Sequence, residues 1–193
     1  MAMPSLPESI TLTPATEADY PAVIDLANRA YRGTGPEASW NVENVIEGQR
    51  IDESLLRDDL AANSEAQLLL WLGEDGALFG CVRLEPIQQH EPFPQHEPAD
   101  AWYLSLLAVD PRRQNQQLGR ILLAASEAFA QARGARRIRM SVLHVRDTLI
   151  AWYLRRGYTP TGETEPFPYG DERFGRPLRD DLHFVILEKE LQS

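Results

Sequence analysis

The chain has 193 residues, 43% of them hydrophobic, with 19 Lys and Arg against 29 Asp and Glu for a net charge of −10. That length and composition exclude a disordered chain and leave too little for two comfortable domains, and the acidic balance argues against general nucleic-acid binding. No apolar run approaches the roughly 20 residues of a membrane span, residues 1–8 lack the features of a secretory leader, and the lone Cys81 cannot form an internal disulfide, which together read as a cytoplasmic protein.

Ser9–Thr13 reads as a first strand. Thr16 is placed to cap a helix, with Glu17 and Asp19 in its first turn and Val23, Ile24, Ala27 and Tyr31 as an apolar stripe, ended by Gly33 and Gly35. Gly33–Ile51 has no period and holds Trp40 and Arg50. Asp52 or Ser54 opens a second helix carrying Leu55, Leu56 and Leu60. Gln67–Leu72 and Leu78–Glu85 form a hairpin around Gly73–Gly76, with Cys81 as a small buried hydrophobe on its second strand. Pro86–Asp100, rich in proline, is a loop.

The run Leu104–Val109 is closed by Asp110-Pro111. After a polar loop, Leu118, Ile121, Leu122, Ala125 and Phe129 fall on one helical face. A strand, polar turn and helix N-terminus in that order can bind phosphate, because the first amides of a helix lack internal acceptors and sit at the positive end of its dipole. The amides of Asn115–Arg120 are the candidate cradle, with Arg112, Arg113 and Arg120 as cations; from this segment alone an ordinary strand–loop–helix connection is the reading to prefer. Gly134 ends this helix. Arg136–Leu143 alternates as a strand, and Asp147-Thr148 can cap a short helix with Leu149, Ile150, Trp152, Tyr153 and Leu154, ended by Gly157-Tyr158. Leu182–Leu187 is a last strand, nearly all apolar, expected to be central or covered on both faces. His90, His96, His144 and His183 show no zinc spacing, and no metal is expected. His183 reads as a core histidine; His144 either lines a site or faces solvent. The organisation is an N-terminal tail, 1–8, and a single domain, 9–193.

Three segments carry a resemblance: Leu106-Leu107-Ala108-Val109-Asp110-Pro111, then Gln114-Asn115-Gln116-Gln117-Leu118-Gly119, then Leu149-Ile150-Ala151-Trp152-Tyr153-Leu154-Arg155-Arg156-Gly157-Tyr158. Their order resembles the GNAT superfamily of acyl-CoA-dependent N-acyltransferases, over roughly residues 9 to 190. Gln114 and Gly119 fit the family loop. Gln117 stands where its middle glycine belongs, and Asn115 replaces another frequent glycine; glycine suits close approach to phosphate and positive φ.

The resemblance implies an α/β fold: a mixed central sheet with helices on both faces, whose strands at 102–109 and 136–143 splay apart. It also implies acetyl-CoA as acyl donor, its pantetheine arm in the gap. Cofactor-binding residues would be Leu107, Ala108, Val109, Gln114, Asn115, Gln116, Gln117, Leu118, Gly119 and Arg120, with the backbone of Leu107 and Val109 pairing with pantetheine or polarising the thioester carbonyl. Tyr153 occupies the place of the family's proton donor to the thiolate; a core tyrosine is the alternative. The strand before the loop carries Tyr103 and Ser105 and no acid, so Glu85 is the candidate general base, with a solvated strand-end glutamate as the other reading. The acceptor pocket would be built by Gly33–Asp52 and Pro166–Arg179, with Tyr31, Trp40, Arg50, Tyr169 and Phe174 as candidate lining. Arg50 can grip a carboxylate bidentately, which would suggest an amino-acid-like acceptor, or can pair with Asp52 or Asp180.

The expected function is an N-acetyltransferase acting on the primary amine of a small or amino-acid-like molecule by direct transfer in a ternary complex. The alternatives are a protein or peptide N-acetyltransferase and a non-catalytic acyl-CoA-binding module. The expected partner is a small-molecule amine, with no nucleic acid and no membrane; a homodimer is left open.

Overall fold

Thr16 begins the first helix by a reciprocal cap: its amide and hydroxyl both donate to the Asp19 carboxylate, at 2.7 and 2.8 Å. The molecule is described by a computed structural model covering residues 10–35, 38–87, 100–113 and 117–192. The expected tail at 1–8 lies outside these residues, as does most of the proline-rich loop.

In chain order the elements are β1 (Thr13–Pro14), α1 (Tyr20–Arg32), β2 (Ile46–Glu47), α2 (Glu53–Ala61), β3 (Gln67–Leu72), β4 (Leu78–Pro86), β5 (Ala101–Val109), α3 (Leu118–Gln131), β6 (Arg137–Leu143), α4 (Asp147–Leu154), β7 (Thr159–Pro166), β8 (Arg176–Pro177) and β9 (His183–Glu190). Seven strands form one mixed sheet in the order β1-β3-β4-β5-β6-β9-β7, and β2 and β8 form a separate two-stranded ribbon. The β5–β6 pair is parallel, joined through α3, and the other pairs are antiparallel. This is the expected α/β architecture.

The core lies on both faces. On one, Leu122, Leu123 and Ala130 of α3 and Leu149 and Tyr153 of α4 pack on Val82, Leu84, Trp102, Leu104, Ile138 and Leu187. On the other, Val23, Leu26, Ala27 and Ala30 of α1 and Leu55 and Leu56 of α2 pack on Leu68, Leu70, Cys81, Leu106 and Ala108. The α1 stripe is rotated from the expected one: Leu26 and Ala30 are buried, while Ile24 and Tyr31 are half-buried. Asp52 caps α2, accepting from the Leu55 amide at 2.8 Å, and the Gly73–Gly76 turn closes the β3–β4 hairpin as expected.

Four segments differ from the sequence expectation. The first strand is only Thr13–Pro14; Ile10 and Leu12 are satisfied by packing on the core rather than by pairing. β9 runs on to Glu190 and lies between β6 and β7, but only Ile186 and Leu187 of it are fully covered. β7 was not expected at all: Thr-Pro-Thr-Gly-Glu-Thr-Glu-Pro reads as loop, and its two prolines are tolerated because it is an exposed edge strand. The β2–β8 ribbon is too short to show a period. It depends on Gly175, at φ +89, where a Cβ would lie 2.5 Å from the Glu47 carbonyl oxygen.

Candidate active site

The site begins where β5 leaves β6. Parallel pairing with β6 is confined to Ala101↔Arg137, Trp102↔Ile138 and Tyr103↔Arg139, after which the strands diverge. On the other side, β4 pairs Cys81 with Ala108 and Arg83 with Ser105, so Leu106 and Leu107 together oppose Val82. That is a β-bulge, with Leu106 at φ +51. The Tyr31 hydroxyl donates to the Leu107 carbonyl at 3.1 Å, so this oxygen already holds one bond within the chain and has one lone pair left for a ligand amide.

A cavity of about 480 Å³ opens beside the divergence, lined by Leu107–Val109, Gln117–Arg120, Arg113, Arg146, Trp152, Tyr153 and Arg156 among others. Expected cofactor residues Leu107, Ala108, Val109, Gln117, Leu118, Gly119 and Arg120 therefore share one wall; Gln114, Asn115 and Gln116 lie outside the described residues. Gln117 is the residue before α3 and sits in the left-handed region, φ +55 and ψ 18. It thus adopts the conformation for which glycine is favoured, and its side chain folds onto the first turn, where its Oε1 accepts from Arg120 at 2.9 Å. Among the described residues four guanidinium groups and no carboxylate line this cavity. Arg156 lies over the Trp152 ring at 3.6 Å, donates to the Trp152 carbonyl, and its Nε is buried with no partner among the described residues. Burial, then Arg155 and Arg120, push its pKa down. Arg112 is tied instead to Asp110, which also receives Arg29. Arg113, Arg120 and Arg156, none paired with a carboxylate among the described residues, put positive charge beside the N-terminus of α3, where an anion can bind.

Gln117→Gly relieves a left-handed side-chain residue, worth about 1 kcal/mol. The expected result is a raised thermal midpoint and acetyl-CoA binding that survives; calorimetric loss of binding would assign the glutamine a contact of its own.

A second cavity, about 400 Å³, lies on the face of β5, β6 and β9. It shares Tyr31, Leu107, Arg146, Leu149 and Tyr153 with the first, so the two meet at these residues. Tyr153 is 6% exposed, edge-on to Trp152 and Tyr158, and among the described residues its hydroxyl has no hydrogen-bond partner. Burial, then the neighbouring Tyr31, push its pKa well up against the opposing pull of Arg146 and Arg156. Its phenol therefore keeps its proton at working pH.

Glu43, which the sequence did not single out, is the charged centre of this cavity. It is 9% exposed and pairs with Arg32 and with Arg146, the latter at 3.1 Å. Burial would raise its pKa, but Arg146, Arg50 and Arg32 outweigh that and hold the carboxyl below its usual range. Arg146 also donates to the Asn41 carbonyl. Since Arg146 immediately precedes α4, Glu43 links the 38–46 loop to the helix that bears Tyr153.

The other expected site residues divide. Tyr31, Arg50 and Phe174 line the second cavity, and Arg50 pairs with neither Asp52 nor Asp180 but stands over the Tyr31 ring at 5.3 Å. Trp40 lines the first cavity instead, 6.4 Å from Trp152. Tyr169 lines neither: its hydroxyl donates to the Arg179 carbonyl and accepts from the Leu182 amide, which anchors the loop. Glu85 is gripped by Arg83 at 2.6 and 2.8 Å in a third cavity and does not line the one holding Tyr153. His144 and His183 stack at 3.9 Å; His183 is half-buried rather than a core residue.

Splayed strands, an anion-ready helix N-terminus and a protonated tyrosine at the seam of two cavities define the frame of a CoA-dependent acyl transferase. The model of the acetyltransferase (GNAT) family matches residues 20–158, and the chain belongs to that family; it is an acetyltransferase. No curated protein sequence matches it significantly. Among solved structures it is similar to a candidate phosphinothricin N-acetyltransferase (15% identity, 96% of this chain and 100% of the other, TM-score 0.65). It is likewise similar to a ribosomal-protein-alanine N-acetyltransferase from Brucella melitensis (20%, 94% and 100%, TM-score 0.65). A third is yncA from Salmonella typhimurium with its cofactor acetyl-CoA (18%, 96% and 96%, TM-score 0.63). At these identities the likeness is one of fold. The family uses acetyl-CoA and acts on amine acceptors. Among the described residues no helix is long and apolar enough to cross a membrane.

Proposed function

We propose that the chain is an acetyl-CoA-dependent N-acetyltransferase acting on the primary amine of a small, amino-acid-like acceptor in a ternary complex. The observation that carries this reading is the meeting of two cavities at Tyr31, Leu107 and Tyr153, which lets donor and acceptor enter from separate sides. The thioester supplies an activated acetyl group. The bulged backbone at Leu107–Val109 would hold its carbonyl, and an amide there would polarise it. Tyr153, kept as a phenol by burial, would give its proton to the departing thiolate. A base role for Glu85 would need a relay along Ser105 and Tyr103, because Glu85 is committed to Arg83. The single cysteine, Cys81, buried in the core, fits a reducing cytoplasm.

A small acceptor is favoured over a polypeptide by the lining of the second cavity. The Arg32–Glu43–Arg146 cluster and the Phe167 and Phe174 loop line it on the side away from the sheet. The test is thiol release from acetyl-CoA against a broad panel of free amines and peptides, with mass spectrometry of the products. Acetylation of free amines upholds the reading and acetylation of peptides alone replaces the acceptor. Saturable acetyl-CoA binding with no turnover would mark a binding module.

A further inference from the structure

Three guanidinium groups face the acceptor cavity, and they are not equivalent. Arg32 and Arg146, with side chains 8% and 10% exposed, are spent on Glu43 and on the carbonyls of Phe174 and Asn41. Arg50 is not: it acts on Glu43 only through space, and among the described residues its guanidinium makes no hydrogen bond or ion pair with a carboxylate or carbonyl. It is nevertheless fixed in place. Asn28 Oδ1 accepts from the Arg50 amide at 2.6 Å and from the Ile51 amide, while Asn28 Nδ2 donates to the Ile51 carbonyl at 2.8 Å. That clamp presents the half-buried Arg50 side chain over the Tyr31 ring, and the hydroxyl at the far end of the ring is bonded to Leu107 at the seam. The remaining carboxylate of the lining, Glu165 on β7, stands toward Tyr103. Asp59 on α2 feels Arg50 but lies beyond ion-pair range of it and does not line the cavity. Three cations against two carboxylates leave one positive charge in surplus.

We infer that the acceptor carries a carboxylate and that Arg50 reads it, Arg32 and Arg146 being occupied by Glu43 and by backbone carbonyls. The inference rests on the N-acetyltransferase reading and narrows its substrate class. A partly desolvated cation without a partner is costly, and a carboxylate supplies two charge-assisted hydrogen bonds in the fork geometry of arginine. A carboxylate seated on Arg50 is one aromatic ring away from Leu107, which suits a molecule whose amine lies a few bonds from its acid group.

The test pairs each free L-α-amino acid with its primary carboxamide as acceptor, with acetyl-CoA as donor and thiol release as readout, for the parent protein, Arg50→Ala and Arg50→Lys. Melting curves check that the variants fold. The expected result is a kcat/KM for at least one acid roughly 10- to 100-fold above that of its amide. That ratio should collapse in Arg50→Ala and recover only in part in Arg50→Lys, mainly through the acceptor KM, with the acetyl-CoA KM unchanged. Equal rates for acid and amide in the parent, or a preference that survives Arg50→Ala, overturn the inference. If no acceptor turns over while acetyl-CoA binds, the transferase reading fails by itself. Calorimetric titration of N-acetyl amino acids into the CoA-bound protein then decides the anion site: binding lost in Arg50→Ala upholds it, and no binding to the parent overturns it.

Discussion

Tyr153→Phe is expected to lower kcat by about 100- to 10,000-fold, the range for losing a positioned proton donor. Acetyl-CoA affinity should be nearly unchanged, because the phenyl ring stays packed between Trp152 and Tyr158 and only the hydroxyl is lost. The fold should tolerate the change, since among the described residues that hydroxyl bonds to nothing. Steady-state thiol release and acetyl-CoA calorimetry separate the two effects; a large loss of affinity with little loss of kcat would make Tyr153 a packing residue. Burial raises the Tyr153 pKa from its ordinary 10, so tyrosine ionisation should not cut the rate until pH exceeds that value.

The second large effect is on stability. Glu43→Ala leaves Arg32 and Arg146 buried without their carboxylate, and breaking a buried ion pair from one side typically costs about 3–5 kcal/mol. Urea unfolding at neutral pH checks this, and a loss below 1 kcal/mol, the order of a surface pair, would show the cluster to be solvated. The pH dependence has a definite sign. The cations hold the folded-state pKa of Glu43 below the usual 4.5, so its stabilising contribution is fully present above that value and is lost as pH falls through the folded one. The difference between parent and variant should be constant at neutral pH and shrink only in acid below 4.5.

Local chemistry made much of this molecule legible in its sequence. Thr16 and Asp52 announce helix starts because each bonds to the residue three positions on, Thr16 by donating its amide and hydroxyl to the Asp19 carboxylate and Asp52 by accepting from the Leu55 amide, and Gly73–Gly76 announces a turn. The amphipathic run from Leu118 and the motif around Tyr153 placed the two walls that meet at the seam. Elements that depend on distant partners were not legible. β7 forms because β9 offers it an edge, in spite of Pro160, Gly162 and Pro166. Glu43 gains its role from Arg146, more than a hundred positions away. Glu85 looked free because nothing in the linear pattern shows that Arg83, two residues earlier on the same strand face, grips it. Tyr169 looked like a pocket residue because an aromatic in a loop reads the same whether it faces a ligand or ties the loop to itself.

The extra residue in β5 also reverses the side-chain alternation of the strand. Trp102 and Leu104 point to the α3 layer, yet Leu106 and Ala108, which a regular strand would keep on that side, are buried with α1. Deleting Leu106 would restore strict parity, with Leu107 and Val109 still on the α3 side and Ala108 still on the α1 side, and would remove the bulge opposite Val82. A change of one residue in length, with composition almost untouched, would thereby turn an interrupted β4–β5 ladder into a continuous one.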